Sequence, residues 1–256
     1  MGLSHIAICV PSFGPWTIEF RRLFIQFLVN NLKNPKFDCC YIESNRTYRH
    51  QARESLCEGA IELKADYIFF VDTDSALPFD AIEKLLAHKK DIVSGVYHQR
   101  VPPYTRIAYQ WTGDVLDTKN FRLDRSMCPL GGDLDEKPIK VGCIGMGCAL
   151  IKTEVLSRIP KPWFLVGSEF TDKLMGEDVY FCLQAHKAGI EIWIDPTVKV
   201  GHITDIPVIV TPDNYKELQG NGGGDSNAGT TATGSTIHRA VPRRLGQTLC
   251  PESGLR

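Results

Sequence analysis

Residues 67–71 read Tyr-Ile-Phe-Phe-Val and run straight into Asp72-Thr73-Asp74. An apolar run with no polar alternation describes a strand covered on both faces, the kind found inside parallel sheets. The surrounding sequence fits that setting. "HIAICVPS" (5–12), "FDCCYIES" (37–44) and "DIVSGVY" (91–97) are further short strands. Between them lie helical patterns: Phe20, Leu23, Phe24, Phe27 and Leu32 on one stripe, then Ala52, Leu56, Ala60 and Leu63 on another. A third helix opens at Pro78 and carries Ile82, Leu85 and Leu86. Four strands alternating with three helices predict a Rossmann-like αβα sandwich with a mainly parallel central sheet.

The end of the central strand is chemically unusual. Alternate side chains of a strand share a side, so Asp72 and Asp74 can point the same way. Two like charges at close range repel unless a cation lies between them. Mg²⁺ and Mn²⁺ take oxygen ligands, commonly one or two carboxylates plus substrate phosphates. In open parallel sheets, ligands bind beyond the carboxyl ends of the strands. Pro11-Ser12, Asp72-Thr73-Asp74 and Gly95-Tyr97 all fall on that edge.

Downstream, residues 101–140 carry Pro102, Pro103, Gly113, Gly131 and Gly132 among short β-like pieces. "IKVGCIGMGCALI" (139–151) precedes a short helix with Thr153 as N-cap. "GEDVYFCLQAHKAG" (176–189) is a helix ending at Gly189, and "IEIWIDPTVKVGHI" (190–203) supplies more β structure. From Pro212 the composition changes, and "GNGGGDSNAGTTATGST" cannot bury enough surface to order itself. Residues 212–256 are therefore expected to form a flexible Gly/Ser/Thr-rich tail, and residues 1–211 the folded domain.

Composition bounds the partners. A net charge of −1 with 23% charged residues argues against a broad basic surface for nucleic acid. The nine cysteines form no CxxC pair, and several sit in apolar contexts. Free thiols in a reducing cytoplasm are expected. "MGLSHIAICVPS" has no charged leader or long apolar run, and no stretch approaches bilayer-crossing length.

The order of these motifs resembles family 2-like glycosyltransferases of the GT-A fold. "ARESLCEGAIELKADYIFFVDTDS" is similar to the helix leading into their DxD motif, with Glu54 where the family has Asn. "IVSGVYHQR", "GMGCALIKTEVL", "PWF" and "GEDVYFCLQAHKAGIEIWIDPTVKVGH" follow in the family's order, so the resemblance spans roughly residues 5–203. It implies a nucleotide-binding half over 1–100 and an acceptor half over 101–211. It also implies transfer of a sugar from a nucleotide-diphosphate sugar, with UDP-sugar preferred, to a glycan or other hydroxyl acceptor. A nucleic-acid acceptor has no support in the sequence.

Carried onto this chain, the resemblance makes Asp74, Asp72 and His202 the metal set for Mn²⁺ or Mg²⁺. Asp74 is the direct ligand, and Asp72 sits nearer the ribose or a water. Pro11, Ser12, Arg53, Asp72 and Thr73 would bind the donor, and Gly145, Met146, Gly147 and Trp163 the sugar and acceptor. Asp178, with Glu177, would be the acceptor-activating carboxylate of an inverting reaction, which is favoured over a retaining one. The rivals are a nucleotidyltransferase on a related αβα scaffold, although "VPSFGPW" lacks the basic residue a triphosphate would want, and a non-catalytic carbohydrate-binding module.

Overall fold

A computed structural model describes residues 2–45, 47–112, 127–166, 175–204 and 209–220. The first half alternates as its periodicity predicts: β1 (His5–Ser12), α1 (Ile18–Leu32), β2 (Asp38–Asn45), α2 (Arg49–Glu62), β3 (Tyr67–Val71), β4 (Ser75–Ala76), α3 (Ala81–Ala87) and β5 (Ile92–Val96). The second half continues with β6 (Ala108–Trp111), β7 (Met127–Pro129), β8 (Ile139–Val141), β9 (Cys143–Ile144), β10 (Cys148–Lys152) and α4 (Val155–Arg158). It ends with α5 (Glu177–Lys187), β11 (Ile192–Lys199), β12 (Gly201–Ile203), β13 (Ile209–Val210) and α6 (Tyr215–Gly220).

The fold is α/β, built on a seven-stranded sheet in the order β2-β1-β3-β10-β5-β11-β8. β1, β2 and β3 run parallel, and β11 runs parallel to β5. β10 enters antiparallel between β3 and β5, and β8 closes the far edge antiparallel to β11. The sheet is thus mixed but mostly parallel. Its two faces build separate cores, because alternate strand residues diverge. Ile6, Ile8, Val10, Phe69 and Val71 pack beneath α1 and α3 with Phe20, Phe24, Phe27 and Leu85. Ala7, Cys9, Ile68 and Phe70 face the other way, against Leu56 and Ala60 of α2 and Phe181 of α5.

Several local expectations change. Leu32 and Leu63 are exposed, and Asn31 and Arg53 take buried places on their helices instead. Glu154, not Thr153, caps α4. Gly189 does follow α5 in the left-handed conformation, with φ of 69°. Cys9, Cys39, Cys40, Cys57, Cys143, Cys148 and Cys182 are free thiols. Past Pro212, where a tail was expected, α6 forms and Tyr215 stacks on the buried His98 ring with centroids 3.9 Å apart. The rest of the expected tail lies outside the described residues. Among the described residues, no helix is long and apolar enough to cross a membrane.

Candidate active site

A cleft of about 260 Å³ opens at the carboxyl ends of β1 and β3. It draws its walls from β1 (Pro11, Ser12), the turn after β3 (Asp72, Thr73, Asp74), the start of α5 (Glu177, Asp178), Met146 and His202. The predicted carboxylates, the histidine and the first-strand loop therefore share one cavity. β4 explains how His202 arrives from far along the chain. This two-residue strand pairs with β12, matching His202 to Ser75, and the Ile203 amide donates to the Asp74 carbonyl at 2.7 Å. His202 Nε2 consequently lies 3.2 Å from Asp74 Oδ2, and Nδ1 lies 2.7 Å from the His98 carbonyl. A carbonyl can only accept, so Nδ1 carries the proton there.

The two aspartates pair with different cations. Asp72 Oδ1 accepts from Arg53 Nη2 at 2.7 Å, while Asp74 pairs with His202 and, at 3.5 Å, with Arg100 Nη1. Like-charge repulsion is relieved by giving each carboxylate its own cation. Among the described residues, no group of three or more His, Cys, Asp and Glu side chains converges on one point. Of the three predicted ligands, the structure brings together Asp74 and His202. Burial pushes the Asp74 carboxyl up, but the hydrogen bond and charge of His202 hold it below the ordinary range. Burial works against a charged His202, yet Asp74 raises its pKa.

Arg53 was expected to touch the donor directly. It lines the cleft but is wholly buried on α2, its guanidinium 5.1 Å from the Phe70 ring centroid, bridging Asp72 and Glu177. Burial disfavours its charge, and the two carboxylates more than compensate. Glu177 is thereby a counter-ion to Arg53, at 3.4 Å from Nε, rather than a free base. Asp178 beside it lines the cleft, and its Oδ1 accepts the Val179 amide at 2.8 Å. Burial, with the charge of Glu177, pushes its pKa up to about 6.

Other assignments move. Trp163 does not line the cleft: it is buried, and its indole N–H donates to the Leu156 and Ile159 carbonyls, a packing role. Glu54, the departure from the family's Asn, accepts the Phe164 amide and so ties α2 to that segment. Gly145 and Gly147 are set by a neighbour rather than by an open path for sugar. A Cβ on Gly145 would lie 2.2 Å from Tyr97 Oη, and the Gly147 amide donates to that oxygen at 3.0 Å. Ser12 lines the cleft, but its hydroxyl already accepts from Trp16 Nε1 and donates to the Gly14 carbonyl.

Tyr97, placed on this edge by its position after a predicted strand, lines the cleft with Arg100, and so do Thr47 and Arg49, which sequence reasoning missed. No local pattern marks them, since each lies on a different loop or helix start.

No protein-family model matches this sequence, and no curated protein matches it. Among solved structures, the chain is similar to the crystal structure of A197 from STIV. The two are 20% identical over 82% of this chain and 91% of that one, with a TM-score of 0.53. At that identity the likeness establishes a shared fold across nearly the whole of both chains. Looser similarities, each with a TM-score of 0.38, run to apo UDP-glucose pyrophosphorylase and to a Drosophila β1,4-galactosyltransferase 7 mutant in complex with manganese, UDP-Gal and xylobiose. The first is 8% identical over 85% of this chain and 80% of that one. The second is 15% identical over 85% of this chain and 74% of that one.

Proposed function

We propose that this chain is a metal-dependent GT-A glycosyltransferase that moves a sugar from a nucleotide-diphosphate donor, preferably a UDP-sugar, to a hydroxyl acceptor. One observation carries this reading: Asp74 and His202 lie 3.2 Å apart in a cleft that also holds Asp178. Asp74 and His202 would hold a divalent ion, since a carboxylate and an imidazole are both donors such ions accept. An imidazole in the set favours Mn²⁺ over Mg²⁺. The chemistry such an ion supplies is neutralisation of the charge that grows on the departing diphosphate.

The chain's own groups supply the rest. The acceptor oxygen bonds to the anomeric carbon as the bond to the diphosphate breaks, and Asp178 takes the hydroxyl proton. Pro11, Ser12 and Thr73 wall the donor, and Arg53, 2.7 Å from Asp72 Oδ1, fixes that carboxylate beside it. Arg49 and Arg100 at the mouth supply positive charge for phosphates.

Calorimetric titration with UDP and Mn²⁺, separately and together, tests the reading. UDP should bind only in the presence of Mn²⁺. Asp74→Asn should abolish the Mn²⁺-dependent UDP binding and lower UDP-sugar turnover about 100-fold or more, while circular dichroism shows the variant folded. Equal UDP affinity with and without metal would overturn it. A second reading, a nucleotidyltransferase, gains from Arg49 and Arg100, which bring to the cleft the cations missing from the first loop. Release of pyrophosphate from UTP and a sugar-1-phosphate would favour it.

A further inference from the structure

Helix α1 is apolar on two sides. Phe20, Phe24, Phe27 and Asn31 face the core, yet Ile18, Ile25, Val29 and Leu32 are 78%, 50%, 45% and 53% exposed. At about 100° per residue, these four fall within an arc of about 60° whose centre lies about 140° from that of the buried stripe. Exposed cations flank the arc on both edges: Arg21 on one, Arg22 and Lys33 on the other. Phe79 extends the patch. It is half exposed, and its carbonyl accepts from Asn30 and Asn31 Nδ2 at 3.3 Å.

We infer that this outward face of α1 is a docking surface for an anionic lipid bilayer. An apolar centre with basic margins matches the boundary between acyl chains and negative headgroups, and a surface helix of this kind binds in the plane of the membrane. The charge pattern selects this occupant over a second copy of the chain. In a two-fold antiparallel pairing of α1 with itself, like edges and opposite ends meet, so Arg22 of each copy would lie near Lys33 of the other and repel. An anionic surface instead gains from every one of these cations. The helix starts just after Phe13, which is exposed and lines the cleft, so docking would bring the cleft mouth close to the bilayer.

The test is flotation of the full chain with phosphatidylcholine vesicles, with and without about one third phosphatidylglycerol. Binding is expected only to the anionic vesicles and should weaken as salt rises. Ile25→Glu with Val29→Glu should reduce partitioning about tenfold or more, and Arg21→Glu with Arg22→Glu should do the same while leaving the apolar arc intact. All four positions are exposed, and circular dichroism checks that each variant stays folded. Absence of wild-type binding would overturn the assignment, as would binding that both variant pairs leave unchanged. So would a concentration-dependent dimer in sedimentation equilibrium that the Ile25/Val29 variant dissolves, since a second copy would then cover the face.

Discussion

Asp72 and Asp74 carry opposite lessons although one residue separates them. Asp72 is tied to Arg53, and Asp74 to His202. Arg53 is the hinge of this arrangement, because it is buried and neutralises Glu177 as well. Arg53→Met would keep the stem and remove the charge, leaving buried Glu177 with the longer, 3.8 Å pairing to Arg49 Nε. A loss of about 3 kcal/mol is expected, read as a lower urea midpoint. Asp178 makes a kinetic prediction. With its pKa raised to about 6, the carboxyl is protonated below that pH and cannot accept a proton. Therefore kcat/KM should climb about tenfold per pH unit up to roughly 6 and then level off. Asp178→Asn should lower kcat by about 100- to 10,000-fold while UDP affinity stays the same. The sequence made the acidic pairs legible. It was silent on Arg53 as their common counter-ion, because that role exists only once α2, β3 and α5 meet.

Among elements, the shortest ones place the site. β4 has two residues, yet its pairing with β12 sets His202 against Asp74. No periodicity can announce a strand of that length. α6 is equally unannounced, sitting where composition predicted a tail. Tyr215 stacks on His98, whose carbonyl lies 2.7 Å from His202 Nδ1, so α6 bears on the histidine through one intervening residue. Tyr215→Ala should lower stability by about 1 kcal/mol and weaken Mn²⁺ binding about tenfold, followed by electron paramagnetic resonance titration. Tyr215→Phe should restore both, since the ring does the stacking. Unchanged Mn²⁺ affinity in the alanine variant would show that α6 does not hold the histidine.

At the scale of the whole molecule, β10 decides the architecture. It comes from the second half of the chain and lies antiparallel between β3 and β5 of the first. Strands from the two halves are interleaved in one sheet. Leu150 on β10 is buried against Phe69 and Val93 on the neighbouring strands. Leu150→Ala should cost about 2–5 kcal/mol. Unfolding should remain a single transition by both fluorescence and far-ultraviolet circular dichroism. Sequence alone determined the αβ alternation of residues 5–96 and the acidic edge at Asp72 and Asp74, because apolar period and strand-end chemistry are local properties. It also pointed to His202 and Asp178, through motif order rather than geometry. Only the tertiary structure decided that β10 enters reversed, that Trp163 packs inward, and that each aspartate has its own cation. Those outcomes depend on which distant segments come within a few ångströms of each other, and short-range pattern carries no record of that.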